Sequence, residues 1–410
     1  MHEPTCQGCG ALLTRTWVDL GLSPLSNSFV PPERAHEPDR LYPLHARVCD
    51  SCLLVQVDSV VPREEIFNED YAYFSSFSES WLAHCRAYVA AMTDRFGLNA
   101  TSKVIEIASN DGYMLQYFVE RGVPVLGIEP SANTAAAAQQ KGVRTEVRFF
   151  GRETATLLQA RGEQADLLAA KNVLAHVPDI NDFVAGVSIA LKPEGVFTVE
   201  FPHLLTTSEG VQFDTIYHEH FTYLSLLALE RVMDRHGLRI FDVEQLPTHG
   251  GSLRVFVCHQ AAAHAEGAGL HATRAREKAA GLDTLRAYDD FAPRVQRVRD
   301  DLMAFLRGAR ARGKTVAAYG AAAKGNTLLN YSGVGEDLIS YVVDKNPTKQ
   351  GKLLPGSRLP VHAPAQLYAT KPDYIVILPW NVRDEVVAEH PGVRDWGAQW
   401  VTAIPDLRVF

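Results

Sequence analysis

Short apolar runs alternate with helical periods through the middle of the chain. Residues 81–96 place apolar side chains at helical spacing, and 103–108 form a continuous apolar run of the kind typical of a buried strand. A second helical stretch, 115–121, ends at Gly122, and 125–130 is another apolar run that closes on an acid. The pattern predicts one strand–helix–strand unit with parallel strands.

The alternation continues further along the chain. Residues 165–179 have the pattern of a strand that runs into a loop, 180–191 have helical spacing, and 196–203 form another buried strand. Loops that follow parallel strands lie at the ligand-binding edge of an open α/β sheet. We therefore expect the loop that ends at Asp179 to contribute to a ligand site.

A second doubly wound unit is predicted in the last third of the chain. Residues 283–312 have the periodicity of a connecting helix, and 314–320 form a strand that enters a turn of small residues. A helix over 321–330 and a strand over 339–344 follow. Neither G-x-G-x-x-G nor a P-loop is present, so the pattern supports neither NAD binding nor ATP hydrolysis.

The turn at the head of that helix is a candidate anion site. Small residues there expose backbone N–H groups at the positive end of the helix dipole. Lys324 and Asn326 follow the turn and are expected to complete a diphosphate cradle. Arg254 is a second basic candidate, since it follows the glycine pair Gly250 and Gly251, which permits close approach of a ligand.

Two C-x-x-C elements near the N-terminus predict a structural metal site. Cysteines at this spacing place two thiolates at adjacent corners of a tetrahedron, and zinc is the usual occupant. Four sulfur ligands leave no position for water, so the metal is expected to be structural. The predicted zinc ligands are Cys6, Cys9, Cys49 and Cys52.

Composition and charge narrow the classes of partner. Apolar residues make up 46% of the 410 positions, and the length suggests two or three domains, of which we expect three. A net charge of −8 provides no general attraction for nucleic acid or acidic lipid, so an anionic substrate requires a local basic pocket. The start lacks a signal pattern, and no run reaches the roughly 18 apolar residues of a membrane span. We expect a cytoplasmic protein that binds neither membrane nor nucleic acid.

The first strand–helix–strand unit favours S-adenosylmethionine over a dinucleotide. Glu129, at the end of the second strand, is positioned to accept hydrogen bonds from both ribose hydroxyls. Glu106 lies where a phosphate-binding loop would begin, and its carboxylate would repel a pyrophosphate. The cationic amino acid end of S-adenosylmethionine tolerates the same carboxylate.

A stretch rich in titratable and hydroxyl groups, 213–225, contains the catalytic candidates. Methylation of carbon beside a ketone requires a base, polarisation of the carbonyl and a positioned methyl donor. We predict His220 as the base, oriented by Glu219 or by a neighbouring tyrosine, with Tyr217 donating to the oxyanion or holding the sugar. His218 is weighed as a buried structural side chain. A catalytic metal held by His218 and His220 on one side of a strand is the less favoured alternative.

Five motifs together resemble the C-methyltransferases of deoxysugar biosynthesis. They are the two C-x-x-C elements and the segments 106–112, 217–223, 249–254 and 319–326. Those enzymes methylate C3 of TDP-linked 4-keto deoxysugars. The resemblance implies His220 as base, with Glu219, Tyr217 and the lid residue Tyr71 around the sugar.

The resemblance also implies a fold and a set of binding residues. The expected fold is α/β: a class I methyltransferase (Rossmann-like) domain at 71–282, an N-terminal zinc-binding domain at 1–70, and a connecting helix with a second Rossmann-like, nucleotide-sugar-binding domain at 283–410. The expected cofactor contacts are Glu106, Ala108, Asn110, Asp111, Gly112, Glu129, Asn172 and His176. The expected substrate contacts are Tyr73, His176, His218, Tyr223, Arg254, Lys324 and Asn326.

Two other functions fit the sequence alone. An O- or N-methyltransferase needs a base but no group that stabilises an enolate. A nucleotide-binding scaffold would bind ligand without chemistry. In each case we expect a monomer.

Overall fold

The computed structural model describes residues 3–58, 61, 75–77 and 79–410, and the strands of this part of the chain form three sheets. Each sheet is built mainly from its own stretch of sequence. Along the described residues, no helix combines the length and the apolarity that crossing a bilayer requires.

The N-terminal sheet is antiparallel and has four strands. Alternate residues of its second strand are buried, as expected for a sheet with one face on a core. The fourth strand comes from the middle of the chain, so the first sheet is completed by the segment that contains the catalytic candidates. The order is β1 (Arg15–Ser23), β2 (Tyr42–Val48), β3 (Val55–Val57) and β9 (Thr222–Tyr223).

The four N-terminal cysteines converge as predicted. Their sulfur atoms all lie within 4.8 Å of one another, with Cys6 Sγ 3.4 Å from Cys52 Sγ and Cys9 Sγ 3.5 Å from Cys49 Sγ. Four thiolates at this separation are the donor set that tetrahedral zinc prefers. The zinc-binding domain predicted from the sequence is confirmed.

The first C-x-x-C turn also contacts the central domain. Asn181 Nδ2 donates to the carbonyl oxygen of Gln7 at 2.6 Å, and Arg235 donates to that of Gly8. The backbone N–H of Gln7 donates to the side chain of Gln56 at 2.9 Å, so the turn is held from both sides. The metal site therefore also joins two domains.

The central sheet has seven strands, in the order β10-β11-β8-β7-β4-β5-β6. β11 is antiparallel to both neighbours, and the pairs from β8 to β6 are parallel. All four residues of β4 are buried, which is typical of a sheet covered by helices on both faces. The strands are β4 (Val104–Ile107), β5 (Val125–Ile128), β6 (Thr145–Glu146), β7 (Ala165–Lys171), β8 (Leu191–Pro202), β10 (Leu238–Leu246) and β11 (Ser252–His259).

Eight helices accompany this sheet in the described residues. Two begin with a side-chain cap, since Asp179 accepts from the N–H of Asp182 and Ser225 from that of Ala228. The helices are α1 (Glu79–Phe96), α2 (Leu115–Val119), α3 (Ala132–Gln140), α4 (Arg152–Ala160), α5 (Ile180–Ala190), α6 (Leu204–Glu209), α7 (Leu226–Asp234) and α8 (Ala268–Ala279).

The third sheet has the strand order of a Rossmann fold, 3-2-1-4-5-6 in chain order, with only its last pair antiparallel. The second Rossmann-like domain is therefore confirmed. Its strands are β12 (Val316–Tyr319), β13 (Val342–Val343), β14 (Val361–His362), β15 (Tyr374–Ile377), β16 (Gln399–Thr402) and β17 (Arg408–Val409). Its helices are α9 (Phe291–Ala311), α10 (Ala323–Ser332), α11 (Ala365–Thr370) and α12 (Arg383–Glu389).

The predicted connecting helix begins later than its periodicity suggests. A short 3-10 helix, Leu285–Tyr288, precedes α9, and Pro293 lies in the first turn of α9. Proline is tolerated there because its missing N–H would have had no partner inside the helix. The strand predicted over 339–344 is likewise shorter, covering only Val342–Val343.

We expect Cys49→Ser to lose the metal and destabilise the N-terminal domain. Cys49 is fully buried, and zinc binding supplies on the order of 10 kcal/mol to folding in small metal domains. Zinc content by atomic absorption and unfolding by calorimetry measure both effects. Cys258→Ala is the control, because Cys258 is buried in β11 outside the cluster and should keep one zinc per chain. A stoichiometric zinc in Cys49→Ser would contradict the assignment.

Candidate functional site

The loop after β4 has an unusual backbone. Ala108, Asn110 and Gly112 have φ values of 53°, 48° and 74°, in the left-handed region that side chains disfavour. A Cβ on Gly112 would lie 3.1–3.3 Å from Val143 and Ala138, so glycine is required there. Strain held in place by the surrounding structure is common where a loop approaches a ligand.

Glu129, at the end of β5, fixes that loop. One carboxylate oxygen accepts from the N–H of Asn110 at 2.8 Å, and the other accepts from the N–H of Ser131 at 2.9 Å. Burial raises the pKa of Glu129, and these two backbone donors partly oppose the rise. The predicted ribose ligand thus also orders the loop, and each oxygen keeps capacity for a further donor.

Several acceptor atoms at this edge are buried without a hydrogen-bond partner of normal geometry. They are both carboxylate oxygens of Glu106, Oδ1 of Asp111 and Oδ1 of Asn172. Burial raises the pKa of Glu106 well above its ordinary value, although the neighbouring Tyr113 hydroxyl opposes part of the rise. A buried carboxylate without a partner is costly. The atoms therefore fit a cationic ligand such as the amino acid end of S-adenosylmethionine.

A buried ion cluster lies beside this edge, with Glu200 at its centre. Burial alone would raise the pKa of Glu200, but Lys171, His84 and Arg254 hold it below its ordinary value. Lys171 donates to the carboxylate, and His84 Nε2 lies 2.9 Å from its other oxygen.

Arg254 belongs to this cluster. Its Nε donates to Glu200 at 2.7 Å and its Nη1 to Glu244 at 2.6 Å. The side chain is buried between the two carboxylates. Because its charge is already paired inside the sheet, Arg254 is not included among the substrate contacts proposed below.

The catalytic candidate His220 has a defined tautomer. Nδ1 lies 2.8 Å from the carbonyl oxygen of Thr215, which can only accept, so Nδ1 carries the hydrogen. Nε2 then accepts from the Tyr217 hydroxyl at 2.9 Å. Burial lowers the pKa of His220 well below its ordinary value, and His176 and Lys324 lower it further. The ring is a neutral imidazole whose Nε2 lone pair is available as a base.

His176 packs against this base. The two ring centroids are 4.6 Å apart in an edge-on arrangement, and burial lowers the pKa of His176 to about 4. The N–H of Phe221 donates to the carbonyl oxygen of Ala175 at 2.7 Å. The predicted loop after β7 is thereby tied to the catalytic loop.

Glu219 does not orient His220. Its Oε1 accepts from Asn27 Nδ2 at 2.7 Å, and burial raises the pKa of its carboxyl group. Of the two orienting groups considered from the sequence, the geometry favours the tyrosine. The carbonyl oxygen of Thr215, which has no sequence signal, is the second.

His218 and Tyr223 have packing roles. His218 Nε2 lies 3.2 Å from the carbonyl oxygen of Pro43, and its ring packs on Tyr42. Tyr223 donates to the carbonyl oxygen of Thr215 at 3.4 Å. The segment 217–220 is a turn, so His218 and His220 do not share one side of a strand as the metal alternative required. In the part of the chain that the structure describes, only the four cysteines form a metal-type cluster.

The third domain brings Lys324 to the same cleft. Its Nζ donates to Asn381 Oδ1 at 2.8 Å and lies 5.1 Å from the ring centre of Trp380. Trp380 Nε1 donates to Asp214 at 2.8 Å, and burial raises the pKa of Asp214 to about 6. Lys324 is near enough to lower the pKa of His220, as a cation beside the substrate site should.

Asn326 lies at a domain contact. Its Nδ2 donates to the carbonyl oxygen of Ser26 at 3.2 Å, and its Oδ1 accepts from Asn330 at 3.2 Å. Both ends of the amide are therefore engaged by protein. The predicted lid residues Tyr71 and Tyr73 lie outside the described residues.

Sequence reasoning missed four residues of the cleft. Trp380 follows β15, and the rule that ligands bind at the carboxyl ends of parallel strands would have indicated it. Asn27, Asp214 and His249 come from loops, where only the three-dimensional contacts identify them.

Comparisons with known proteins agree with this geometry. Family models match a zinc binding domain at residues 6–67, a methyltransferase domain at 81–243 and a C-methyltransferase C-terminal domain at 247–405. The C-methyltransferase NovU of Streptomyces niveus is 36% identical over 407 residues, covering 98% of this chain and 96% of that protein.

Two other similarities are partial. A ubiquinone biosynthesis O-methyltransferase of Rhodopseudomonas palustris is 29% identical over 97 residues, covering 24% of this chain and 38% of that protein. The structure of magnesium protoporphyrin IX methyltransferase from Synechocystis with bound SAM has a TM-score of 0.34 at 13% identity, and covers 44% of this chain and 79% of that one. That structural similarity is too low to support a conclusion.

The full-length relative and the family models confirm the expected class I methyltransferase fold, the cofactor S-adenosylmethionine and the zinc-binding domain. They also favour a C-methyltransferase over the O- or N-methyltransferase and scaffold alternatives. The chain belongs to the family of S-adenosylmethionine-dependent C-methyltransferases that includes NovU.

Proposed function

We propose that this enzyme methylates C3 of a TDP-linked 4-keto deoxysugar, with His220 as the general base. The observation that carries the proposal is the neutral His220 ring, whose Nδ1 donates to Thr215 and whose Nε2 lone pair lies in a cleft shared by all three domains. The keto sugar supplies an acidic carbon, because the adjacent carbonyl accepts the electrons that proton removal leaves behind.

His220 Nε2 takes the proton from C3 as the C3–H electron pair moves toward the keto oxygen. A lowered pKa keeps the ring unprotonated before the substrate binds, and the negative charge that then develops beside it stabilises the imidazolium. Thr215 holds Nδ1 throughout, so the ring cannot rotate freely. Bound S-adenosylmethionine supplies an electrophilic methyl group, to which C3 bonds.

Tyr217 controls access to the base. Its hydroxyl donates to Nε2 at 2.9 Å, so the carbon acid must take the place of this hydroxyl before proton transfer. The released hydroxyl is then available to the sugar, as predicted from the sequence. Tyr71 and Tyr73 remain predicted walls of the same pocket.

Lys324 supplies the local positive charge that a nucleotide-linked sugar requires. The chain has a net charge of −8, so binding of a diphosphate depends on such single cations. Lys324 lies at the head of α10, whose dipole also favours an anion. This arrangement supports a nucleotide-activated substrate.

His220→Asn should abolish turnover while leaving cofactor binding intact. Removing a general base costs about 10²–10⁴-fold in rate, and asparagine keeps a donor toward Thr215. Deuterium incorporation at C3 in deuterated water, without methyl donor, reports proton removal directly. His218→Asn is the matched control and should stay within several-fold of wild type. Exchange at the wild-type rate in His220→Asn would reject the base.

Affinity for S-adenosylmethionine should weaken as pH falls. The pKa of Glu106 is raised in the free enzyme, and a cation binds better to the ionised carboxylate, so protonation at lower pH opposes binding. Glu106→Gln should weaken binding at alkaline pH and flatten the pH dependence. Isothermal titration calorimetry over a pH series measures both. Glu153→Gln, an exposed carboxylate on α4, is the control. An unchanged pH dependence in Glu106→Gln would exclude this role.

A further inference from the structure

His249 has a strained backbone at the tip of the loop between β10 and β11. Its φ and ψ are 54° and 26°, in the left-handed region, and two glycines with positive φ follow it. A Cβ on Gly250 would lie 2.6 Å from the Trp380 ring, so the loop tip is pressed against the third domain. A side-chain-bearing residue held in this conformation by its surroundings is a candidate functional residue.

A second strained residue holds the His249 ring. Asn172 follows β7 with a φ of 54°, and its N–H donates to the carbonyl oxygen of Glu200 at 2.8 Å. Asn172 Nδ2 lies 3.0 Å from His249 Nε2. An amide nitrogen only donates, so Nε2 accepts and the ring hydrogen is on Nδ1.

The Nδ1 hydrogen faces open space in the cleft. The His249 side chain is solvent-exposed, yet the surrounding protein lowers the pKa of His249 to about 4, first by desolvation and then through Lys324. Among the described residues, no printed hydrogen bond occupies Nδ1. The ring therefore remains a neutral donor at physiological pH.

His249 lies close to the proposed base and to the cofactor edge. It is near enough to His220 to influence the pKa of that ring, and Asn172 belongs to the set of unpartnered acceptors at the cofactor site. The Tyr217 hydroxyl is on His220, and the Lys324 ammonium is on Asn381. Nδ1–H of His249 is thus a donor that remains open to the substrate.

We propose that His249 is a further catalytic residue, which donates its Nδ1 hydrogen to the keto oxygen of the substrate as that oxygen becomes negatively charged. The C3 proton moves to His220, and the C3–H electron pair moves through the C3–C4 bond to oxygen. The pair then returns to bond C3 to the methyl carbon, and the sulfonium sulfur keeps the pair of its broken bond. His249 retains its hydrogen throughout. This inference rests on the proposed function.

Two substitutions separate the donor from the backbone conformation. Glycine and asparagine both tolerate the left-handed region, but only asparagine retains a donor near the Nδ1 position. We expect His249→Gly to lower kcat and C3 exchange by about 10²–10³-fold, the usual loss for one oxyanion donor. His249→Asn should recover most of that loss, and the Kd for S-adenosylmethionine should change little in either variant.

A third variant keeps the ring and reverses its tautomer. Asn172→Asp places an acceptor opposite Nε2, so the ring hydrogen moves to Nε2 and Nδ1 loses its donor. We expect kcat to fall at least tenfold while affinity for the cationic cofactor does not weaken. A merely structural role for His249 would not produce this combination.

The outcomes are distinguishable. If the wild-type enzyme does not exchange the C3 proton, the proposed function fails and this inference fails with it. If the wild type exchanges and His249→Gly exchanges equally fast, the inference alone is overturned. Equal losses in His249→Gly and His249→Asn, with Asn172→Asp at the wild-type rate, would also overturn it.

Discussion

The carboxylate of Glu200 is the interaction on which the rest of the cleft depends. It is buried in β8 and is neutralised by Lys171 from β7, Arg254 from β11 and His84 from α1. Removing one member of a buried charge pair costs about 3–5 kcal/mol, because the remaining charge has no water. The cluster therefore fixes two strands and one helix relative to β8 at the carboxyl edge of the sheet.

The backbone at Glu200 extends this control to the strained residues. Its carbonyl oxygen accepts from Asn172, which keeps that residue in the left-handed region and directs its amide to His249. A cluster that has no contact with the proposed substrate thus sets the tautomer of a ring in the cleft. Charge pairing inside the sheet and chemistry at its edge are in this sense one structure.

The cleft is not the property of a single domain. The N-terminal domain contributes Asn27 to Glu219, and β9 completes its sheet from within the catalytic segment. The third domain contributes Lys324, and Trp380 joins it to Asp214. Burial among three domains explains why His176, His220 and His249 all have lowered pKa values. Each ring is neutral at physiological pH, so each can act as donor or acceptor according to its tautomer.

Local sequence was sufficient for much of the fold and for the cofactor edge. The apolar runs and the acids Glu106 and Glu129 mark strand ends, and the cysteine spacing specifies a tetrahedral site, because each of these signals lies within a few residues of chain. The prediction for Arg254 lost its support because a paired charge looks the same in sequence as a free one.

The partner of each polar group was decided by tertiary structure alone. Thr215 acts through its carbonyl oxygen, which every residue possesses, and Asn27 reaches Glu219 across 192 positions. His249 differs from other histidines only in its backbone angle and in the amide that faces it. Tautomers and lowered pKa values arise from burial and from contacts distant in sequence, which periodicity and spacing do not record.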